Sequence, residues 1–327
     1  MGKRADKNFE TKRKLLEILR ILGESDMPLG ARAISVELQR RGFNIKERTV
    51  RYHLSFLDAM GFTKKHGKKG RTITEQGLRE LEEASLEERL GSVKARIEEL
   101  IFLTTFDPLR REGNVIVNVA LIDKRDFEKI VGLFEELSAY VVSHYVKVID
   151  EKERVGGLHV PPGKVAVANI CSITIDGVLV KNGIPVEVRY SGIVQISSGK
   201  PQRFIDVISY EGTSVDPTKV FVSRKITSVC DALAKGTGRV IANYREIPAI
   251  ALESAAKVIK SLKAAGITGV ITFGTGLSVL GVPLLRGRVG IPVYAGVNAF
   301  AAAEERGIKT ETLPMHTVMP FKELKML

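Results

Sequence analysis

Apolar residues recur at helical spacing through the N-terminal part of the chain. This spacing predicts one helix over Phe9–Leu22, a second over Leu29–Arg41, and a third that starts at Arg48. Gly61 is expected to end the third helix, because glycine is common just after a helix C-terminus. The sequence therefore predicts three short helices within its first domain.

The third helix divides into an apolar face and a polar face. The residues predicted to pack inward are Val50, Leu54, Leu57 and Met60. The residues that point elsewhere are Arg48, Arg51, Tyr52 and Ser55. A helix that lies in the major groove of DNA needs this division, with one face packed on its own domain and the other turned to base edges and phosphates.

A short basic hairpin is predicted directly after this helix. Phe62–Thr63 and Arg71–Thr74 are strand-like, and Lys64–Gly70 between them contains two glycines and four lysines. Glycine suits a tight turn, and clustered lysines suit phosphate groups. A fourth helix is predicted from Thr74 to about Ala84. Three helices, a basic hairpin and a trailing helix are in the order typical of a winged helix-turn-helix.

The predicted DNA contacts come from the third helix and the hairpin. The helix residues would meet base edges and phosphates, and the hairpin residues would meet the DNA backbone. The residues are Arg48, Thr49, Arg51, Tyr52, Lys64, Lys65, Lys68, Lys69 and Arg71. Taken alone, a basic turn of this kind is more often a solvated loop.

The second part of the chain contains an internal duplication. A strand at Val115–Asn118 is followed by a helix over Lys124–Leu137, and a strand at Val240–Asn243 is followed by a helix over Pro248–Leu262. The offset between the two copies is 125 residues for the strands and for the ends of the helices. The sequence thus predicts two related α/β halves.

Two shorter segments also favour a duplication. Gly183–Val186 has the same four residues as Gly290–Val293, and each copy is followed by a Tyr-x-Gly triplet. Two halves related by a pseudo-twofold axis leave a cleft, and clefts of this kind bind small ligands.

The candidate cleft residues include a glycine-rich turn over Thr272–Ser278, after a strand ending at Ile271, with Gly156–Gly163 as its predicted counterpart in the first half. Backbone N–H groups and hydroxyls of such a turn suit an anion, and arginine suits a carboxylate. The predicted ligand contacts are His159, Cys171, Arg189, Arg203, Gly274, Thr275, Gly276 and Ser278. Each also has an ordinary structural explanation: a turn, a structural histidine, a surface arginine or a small core residue.

Charge is concentrated at one end of the chain. The 327 residues carry a formal net charge of +12, of which residues 1–74 contribute +10. A polyanionic partner for this end is therefore expected. Cys171 and Cys230 form neither a metal-binding spacing nor a disulfide framework. A signal peptide and a long apolar run are both missing, so a cytoplasmic protein without a membrane span is expected.

Three segments carry a resemblance to a known family. They are ERTVRYHLSFLDAMGFTKKHGKKGRTITEQG, GGLHVPPGKVAVANICSITIDGVLVKNGIPVEVRYSGIVQ and VITFGTGLSVLGVPLLRGRVGIPVYAGVNAFAA. Together they resemble the NrpR family of archaeal nitrogen regulators, over residues 10–84 and 105–325. The predicted fold class is α+β. A winged helix-turn-helix at 1–84 is followed by a linker or dimerisation helix at 85–104. An α/β regulatory domain of two pseudo-duplicated halves then occupies 105–327.

The resemblance implies a function. Such proteins repress nitrogen-assimilation genes by binding a palindromic operator as homodimers or higher oligomers, and 2-oxoglutarate releases them. The chain has room for a single regulatory domain, a form for which a second NrpR-type protein is a candidate partner. Neither a cofactor, a metal nor a catalytic residue is expected, with 2-oxoglutarate acting as an effector.

Two other interpretations stay open at this point. One is an enzyme acting on a small dicarboxylate, fused to a DNA-binding module, with His159 as its general base. The other is a corepressor whose basic end binds RNA or no nucleic acid at all. Sustained turnover of 2-oxoglutarate would favour the enzyme, and a failure to retain duplex DNA would favour the corepressor.

Overall fold

A computed structural model describes residues 14–25, 27–81, 92–137 and 139–326 of the chain. The chain divides into two compact units, residues 1–90 and 91–327. The division falls inside the segment predicted as a linker or dimerisation helix, and that role stays a prediction. Each unit is described below by itself.

The first unit contains four helices and a hairpin within its described residues. Its elements are α1 (14–23), α2 (Ala31–Arg40), α3 (Glu47–Ala59), β1 (Thr63–Lys65), β2 (Arg71–Ile73) and α4 (75–81). The parts of the first and fourth predicted helices before residue 14 and after residue 81 lie outside the described residues. The order confirms the predicted winged helix-turn-helix.

The inward face of α3 differs from the prediction at one position. Val50, Leu54 and Leu57 are buried as expected, but the fourth buried residue is His53 and Met60 is 47% exposed. Met60 follows the last helical residue as the C-cap, and Gly61 then takes a φ of +77°. Because the chain reverses there, Met60 leaves the line of the buried face.

The first strand of the hairpin extends further into the basic segment than predicted. Thr63 pairs with Ile73 and Lys65 with Arg71, so Lys64 and Lys65 lie in β1 and not in the turn. Leu29, which precedes α2, exchanges both backbone hydrogen bonds with Arg71, at 2.9 Å each. The sequence analysis did not predict this isolated bridge, since a single paired residue has no periodicity to detect.

The second unit contains seven helices and thirteen strands within its described residues. Its helices are α5 (Ser92–Leu103), α6 (Phe127–Glu136), α7 (Ile173–Lys181), α8 (Pro217–Ser223), α9 (Val229–Lys235), α10 (Leu252–Ala264) and α11 (Asn298–Glu305). Its strands are β3 (Asn114–Asp123), β4 (Tyr145–Ile149), β5 (Arg154–Val155), β6 (Leu158–His159), β7 (Lys164–Ile170), β8 (Glu187–Ser197), β9 (Lys200–Ser209), β10 (Gly238–Pro248), β11 (Ser278–Val279), β12 (Val282–Pro283), β13 (Arg288–Tyr294), β14 (Thr310–Pro320) and β15 (Lys325–Met326).

Two sheets organise this unit, with strand orders β14-β3-β7-β4-β15 and β13-β10-β8-β9. A first half runs from β3 through α6, the β5–β6 hairpin, β7 and α7 to β8. A second half runs in the same order from β10 through α10, the β11–β12 hairpin, β13 and α11 to β14. The last strand of each half pairs with the first strand of the other half, β8 with β10 and β14 with β3. The two halves are therefore interlocked and share both sheets.

Hydrogen bonds repeat with the topology. Thr174, at the start of α7, accepts from the backbone N–H of Ile116 at 2.9 Å and donates to its carbonyl at 3.1 Å. Asn298, at the start of α11, accepts from the N–H of Ile241 and donates to its carbonyl, both at 2.9 Å. The same anchoring of a helix to the first strand of its half confirms the predicted duplication.

One predicted correspondence within the duplication is wrong. Gly183–Val186 follows α7 as a turn, whereas Gly290–Val293 lies inside β13. The structural equivalent of Gly183 is Gly307, since both follow a helix with φ near +80°. Ile184 and Ile308 then each bond back to the helix. Four identical residues are therefore a weak signal of structural equivalence. The hydrogen bonds that end the two equivalent helices, at Ile184 and Ile308, repeat without this shared sequence.

Helix α5 packs on the rest of the second unit through Val93, Ile97 and Leu100. These residues share a buried cluster with Ile116, Cys171, Ile173, Tyr210 and Met315. Helix α5 therefore covers the join between the two halves, which is the region where the predicted ligand site was placed.

Candidate nucleic-acid interface and ligand site

The N-terminal half of α3 presents an exposed polar face. Arg48, Thr49 and Tyr52 are exposed, with Tyr52 at 72%. Arg51 is also exposed and pairs with Glu47 one turn earlier, at 2.5 Å. An ion pair this exposed contributes little to stability, so Arg51 can exchange Glu47 for a phosphate or a base edge.

The hairpin presents its lysines to solvent. Lys64, Lys65, Lys68 and Lys69 are all exposed. The turn is closed by the His66 N–H donating to the Gly70 carbonyl, at 2.8 Å. Gly70 has a φ of +123°, and a Cβ there would overlap the Leu29 carbonyl. The compact hairpin thus places four positive charges at one edge of the first unit.

Arg71 is less exposed than the four lysines with which it was predicted to contact the DNA backbone. Its side chain is only 15% exposed, and its Nε lies 2.8 Å from Oδ2 of Asp58 in the last turn of α3. The guanidinium is therefore engaged inside the unit. Sequence analysis grouped it with the lysines because charge alone does not show which cations have an internal partner.

The predicted ligand residues fall into three places in the second unit. His159 lies exposed in the short β5–β6 hairpin. Cys171 lies in the turn between β7 and α7, and it is buried under α5. Burial raises the pKa of its thiol to about 12, so the group stays protonated. The remaining residues lie on β8, on β9 and in the segment from Gly274 to β11.

Arg189 and Arg203 lie on neighbouring strands in this third place. Arg189 is near the start of β8 and pairs with Glu187 at 2.7 Å, and its guanidinium lies 5.6 Å from the Tyr190 ring centre. Arg203 is exposed on β9, and its Cβ lies beside Gly281. Arg203 therefore borders the β11–β12 hairpin at Gly281.

The glycine-rich turn leads into β11 instead of into a helix. Gly274 exchanges backbone hydrogen bonds with Gly290, at 2.9 and 3.0 Å, while Thr275, Gly276 and Ser278 are exposed. The N–H of Gly274 is thus committed to the fold. A helix N-terminus, which would have strengthened an anion site here, does not follow this turn.

The predicted counterpart of this turn is also displaced. In the structure the β5–β6 hairpin is equivalent to the β11–β12 hairpin, so residues 154–164 match 278–288 at an offset of 124. His159 then corresponds to Pro283, and Gly163 to Gly287, each glycine with φ near +80°. The two glycine-rich segments therefore belong to equivalent hairpins but not to equivalent positions within them.

A buried polar network at the join was missed by the sequence analysis. Asn118 donates to Asn169 at 3.0 Å, and Asn169 donates to the Gly296 carbonyl at 2.7 Å. Asn118 also accepts from the backbone N–H of Met315, at 3.2 Å. These bonds connect the first half of the unit to the second.

The equivalent position in the second half carries its own network. Asn243 donates to Ser172 at 2.8 Å and accepts from the Tyr210 hydroxyl at 3.2 Å, which in turn contacts Thr218 at 3.2 Å. Asn118 and Asn243 are 125 residues apart, each within an otherwise apolar strand. The repeated asparagine was the sequence signal that could have revealed these networks, because a buried amide requires hydrogen-bond partners.

The described residues contain neither a candidate metal site nor a helix able to span a membrane. Groups of three or more His, Cys, Asp or Glu side chains able to hold a metal ion are not found there. Within the same residues, no helix has both the length and the apolar character to cross a bilayer.

Comparisons with known proteins agree with this division. The model of the NrpR regulatory domains NRD1 and 2 matches residues 90–326. The model of the ribonuclease R winged-helix domain matches residues 16–81. A crystal structure of a nitrogen repressor-like protein from Methanococcus jannaschii aligns with a TM-score of 0.61 and 26% identity, over 72% of this chain and 97% of that chain.

Curated relatives extend the similarity to nearly the whole chain. The global nitrogen regulator NrpRI of Methanosarcina mazei is 45% identical over 97% of this chain and 98% of its own length. The global nitrogen regulator NrpR of Methanocaldococcus jannaschii is 36% identical over 96% of this chain, which spans 55% of that longer relative. Since the relatives are named as regulators and the matching model describes regulatory domains, the protein is a regulator and the interpretation as an enzyme is set aside. From its two domains and its relatives, the chain belongs to the NrpR family of transcriptional regulators.

Proposed function

We propose that the chain is a repressor of nitrogen-assimilation genes that binds a palindromic operator and is released by 2-oxoglutarate. The observation that carries the DNA-binding part is the exposed face of α3 together with the lysines of the hairpin. A recognition helix with free polar side chains and a basic wing is the arrangement that reads a major groove and holds the adjacent phosphates. The relatives are named global nitrogen regulators, which supports nitrogen metabolism as the process controlled.

The effector would bind between the interlocked halves of the second unit. 2-Oxoglutarate carries two carboxylates and a ketone, which require hydrogen-bond donors. His159 lies apart from Arg189, Arg203 and the glycine-rich turn, so these residues offer donors at separate places, and the asparagine network offers others at the join. Because α5 covers the join and directly follows the DNA-binding unit in sequence, it is suited to transmit a change at the join.

The described contacts of α5 support this role. Its Arg96 donates to the His316 carbonyl at 3.0 Å, and the preceding Met315 donates its N–H to Asn118. Met315 has a φ of +48°, a strained value for a residue with a side chain. Release by an effector requires that it bind the arrangement without DNA better, by about 1–3 kcal/mol in typical allosteric proteins.

Two copies are needed to read a palindrome, so we expect a homodimer or a larger oligomer. A second NrpR-type protein is a further candidate partner, because the chain spans about half the length of the curated relatives from Methanocaldococcus jannaschii and Methanococcus maripaludis. The proposed role places the protein in the cytoplasm, where its operator DNA is found.

One titration tests both parts of the proposal. Labelled duplex DNA from a nitrogen-gene promoter is bound to the purified full-length protein, and 2-oxoglutarate is then added. We expect retention that weakens with salt, since phosphate contacts release counterions, followed by release as the metabolite is added. A scrambled duplex and an RNA of equal length serve as controls. Equal binding to all three would contradict operator recognition, and RNA preference would favour the corepressor.

A further inference from the structure

One carboxylate holds both strands of the hairpin against α3. Asp58 lies in the last turn of α3 and accepts a hydrogen bond from the Thr63 hydroxyl of β1, at 2.6 Å. It also accepts from Arg71 of β2, whose Nε lies 3.0 Å from one carboxylate oxygen and 2.8 Å from the other. The side chains of Asp58 and Arg71 are only 28% and 15% exposed, so solvent screens this pair less than the open pair of Arg51 and Glu47.

The hairpin needs such support. Its strands are three residues each, and an isolated two-stranded hairpin of this kind is marginal in water. The pairing of Leu29 with Arg71 fixes one edge of β2, but it acts on the backbone and leaves the tilt of the hairpin towards α3 to side chains. Asp58 supplies the side-chain bonds between α3 and both strands.

We propose that Asp58 is a positioning residue of the DNA-binding surface, whose carboxylate sets the angle between α3 and the basic hairpin so that both reach one duplex. The inference rests on the proposed DNA-binding function. It assigns a role to a residue that itself makes no contact with DNA, and it gives Arg71 the role of partner to Asp58.

The direction of the change in DNA affinity when Asp58 is replaced distinguishes this positioning role from a purely electrostatic one. Removing a negative charge beside a polyanion-binding surface should strengthen binding if charge alone matters. Loss of the Asp58 contacts should instead weaken binding, because the hairpin lysines no longer meet phosphates together with α3. Glu47→Gln is the matched control, since Glu47 is an acid on the same helix whose described partner is Arg51. This control should bind DNA as well as the wild type or better.

The test uses the full-length chain and a labelled promoter duplex over a series of salt concentrations. We expect Asp58→Asn to weaken binding about tenfold and to lower the salt slope by about 1–2, the value for one or two lost phosphate contacts. In a Lys68→Gln/Lys69→Gln background, the same substitution should weaken binding less than it does in the wild type, because two of the four hairpin lysines that it positions are already absent. A general loss of folding would lower affinity equally in both backgrounds.

The outcomes are separable. Binding by Asp58→Asn that equals or exceeds the wild type, or an undiminished effect in the lysine-deficient background, overturns the inference alone. A wild-type protein that retains no duplex overturns the proposed function and the inference with it. If circular dichroism shows that Asp58→Asn is unfolded, Thr63→Val carries the test, since it removes one bond to Asp58 at constant side-chain shape. This variant is expected to show a smaller change in the same direction, and an unchanged salt slope overturns the inference.

Discussion

Asp176 of α7 and Arg245 of β10 form an ion pair across the join of the two halves, with Nε 2.6 Å from Oδ1 and neither side chain exposed to solvent. The hydrogen bond of the pair runs from Nη2 of Arg245 to Oδ2 of Asp176, at 3.0 Å. Asp176 belongs to the first half and Arg245 to the second. Their positions are equivalent to Phe300 and Ala120, so the pair breaks the pseudo-symmetry of the unit.

Removing one member of this pair should strongly destabilise the second unit. Arg245→Met leaves the Asp176 carboxylate buried without its counter-charge, at an expected cost of about 3–5 kcal/mol in the free energy of unfolding. The double variant Asp176→Leu/Arg245→Met should recover most of this loss, because it leaves no buried charge. Urea denaturation of the three proteins measures both values. Equal instability of the single and double variants would contradict this account of the pair.

The stability of the first unit should fall in acid through Asp58. Burial alone would raise the pKa of this carboxyl, but the hydrogen bonds from Arg71 and Thr63 outweigh it and hold the pKa below its usual value. The folded form therefore binds a proton less readily than the unfolded form. The stabilisation is complete above the unfolded pKa of about 4 and is lost as the pH falls through the lower, folded pKa.

Thermal melts of the wild type and Asp58→Asn between pH 7 and pH 2 measure this contribution. The difference in melting temperature between the two proteins should be largest at neutral pH and should shrink in acid. A difference that stays constant over this range would show that the carboxylate charge does not stabilise the fold.

Arg51→Ala should abolish operator binding without unfolding the protein. The side chain is 70% exposed and its described partner is Glu47, so its loss should change the free energy of unfolding by no more than about 0.5 kcal/mol. If Arg51 contacts a base edge, discrimination between the operator and a scrambled duplex should fall by about 1–3 kcal/mol. Competition binding with the two duplexes provides the measurement, and full retention of specificity would exclude Arg51 from base reading.

Thr275→Val combined with Ser278→Val tests the glycine-rich turn as part of the effector site. Both side chains are exposed, so the fold should tolerate the change. We expect the double variant to bind operator DNA normally and to stay bound when 2-oxoglutarate is added. A normal release would exclude the turn and move the site to the asparagine network at the join. Isothermal titration of 2-oxoglutarate against the variant without DNA distinguishes a lost site from a lost response.

Much of the first unit was predictable because its signals are local. Apolar residues at helical spacing identified the helices, Gly61 identified the end of α3, and two glycines with four lysines identified the hairpin. The role of Arg71 could not be predicted, since an arginine in a basic segment has the same sequence signature whether it faces phosphate or Asp58. Met60 was misplaced because the helix ends one residue before it, a boundary that periodicity does not resolve.

The second unit shows where sequence information ended. The repeat at 125 residues determined that two related strand–helix segments exist, because equivalent strands and helices need equivalent apolar positions. Only the tertiary structure decided that the last strand of each half crosses to pair with the first strand of the other, since strand pairing depends on contacts between distant residues. The same crossing brings Asn118, Asn243, Asp176 and Arg245 to the join, and buried polar groups become recognisable as a site only when their partners are in place.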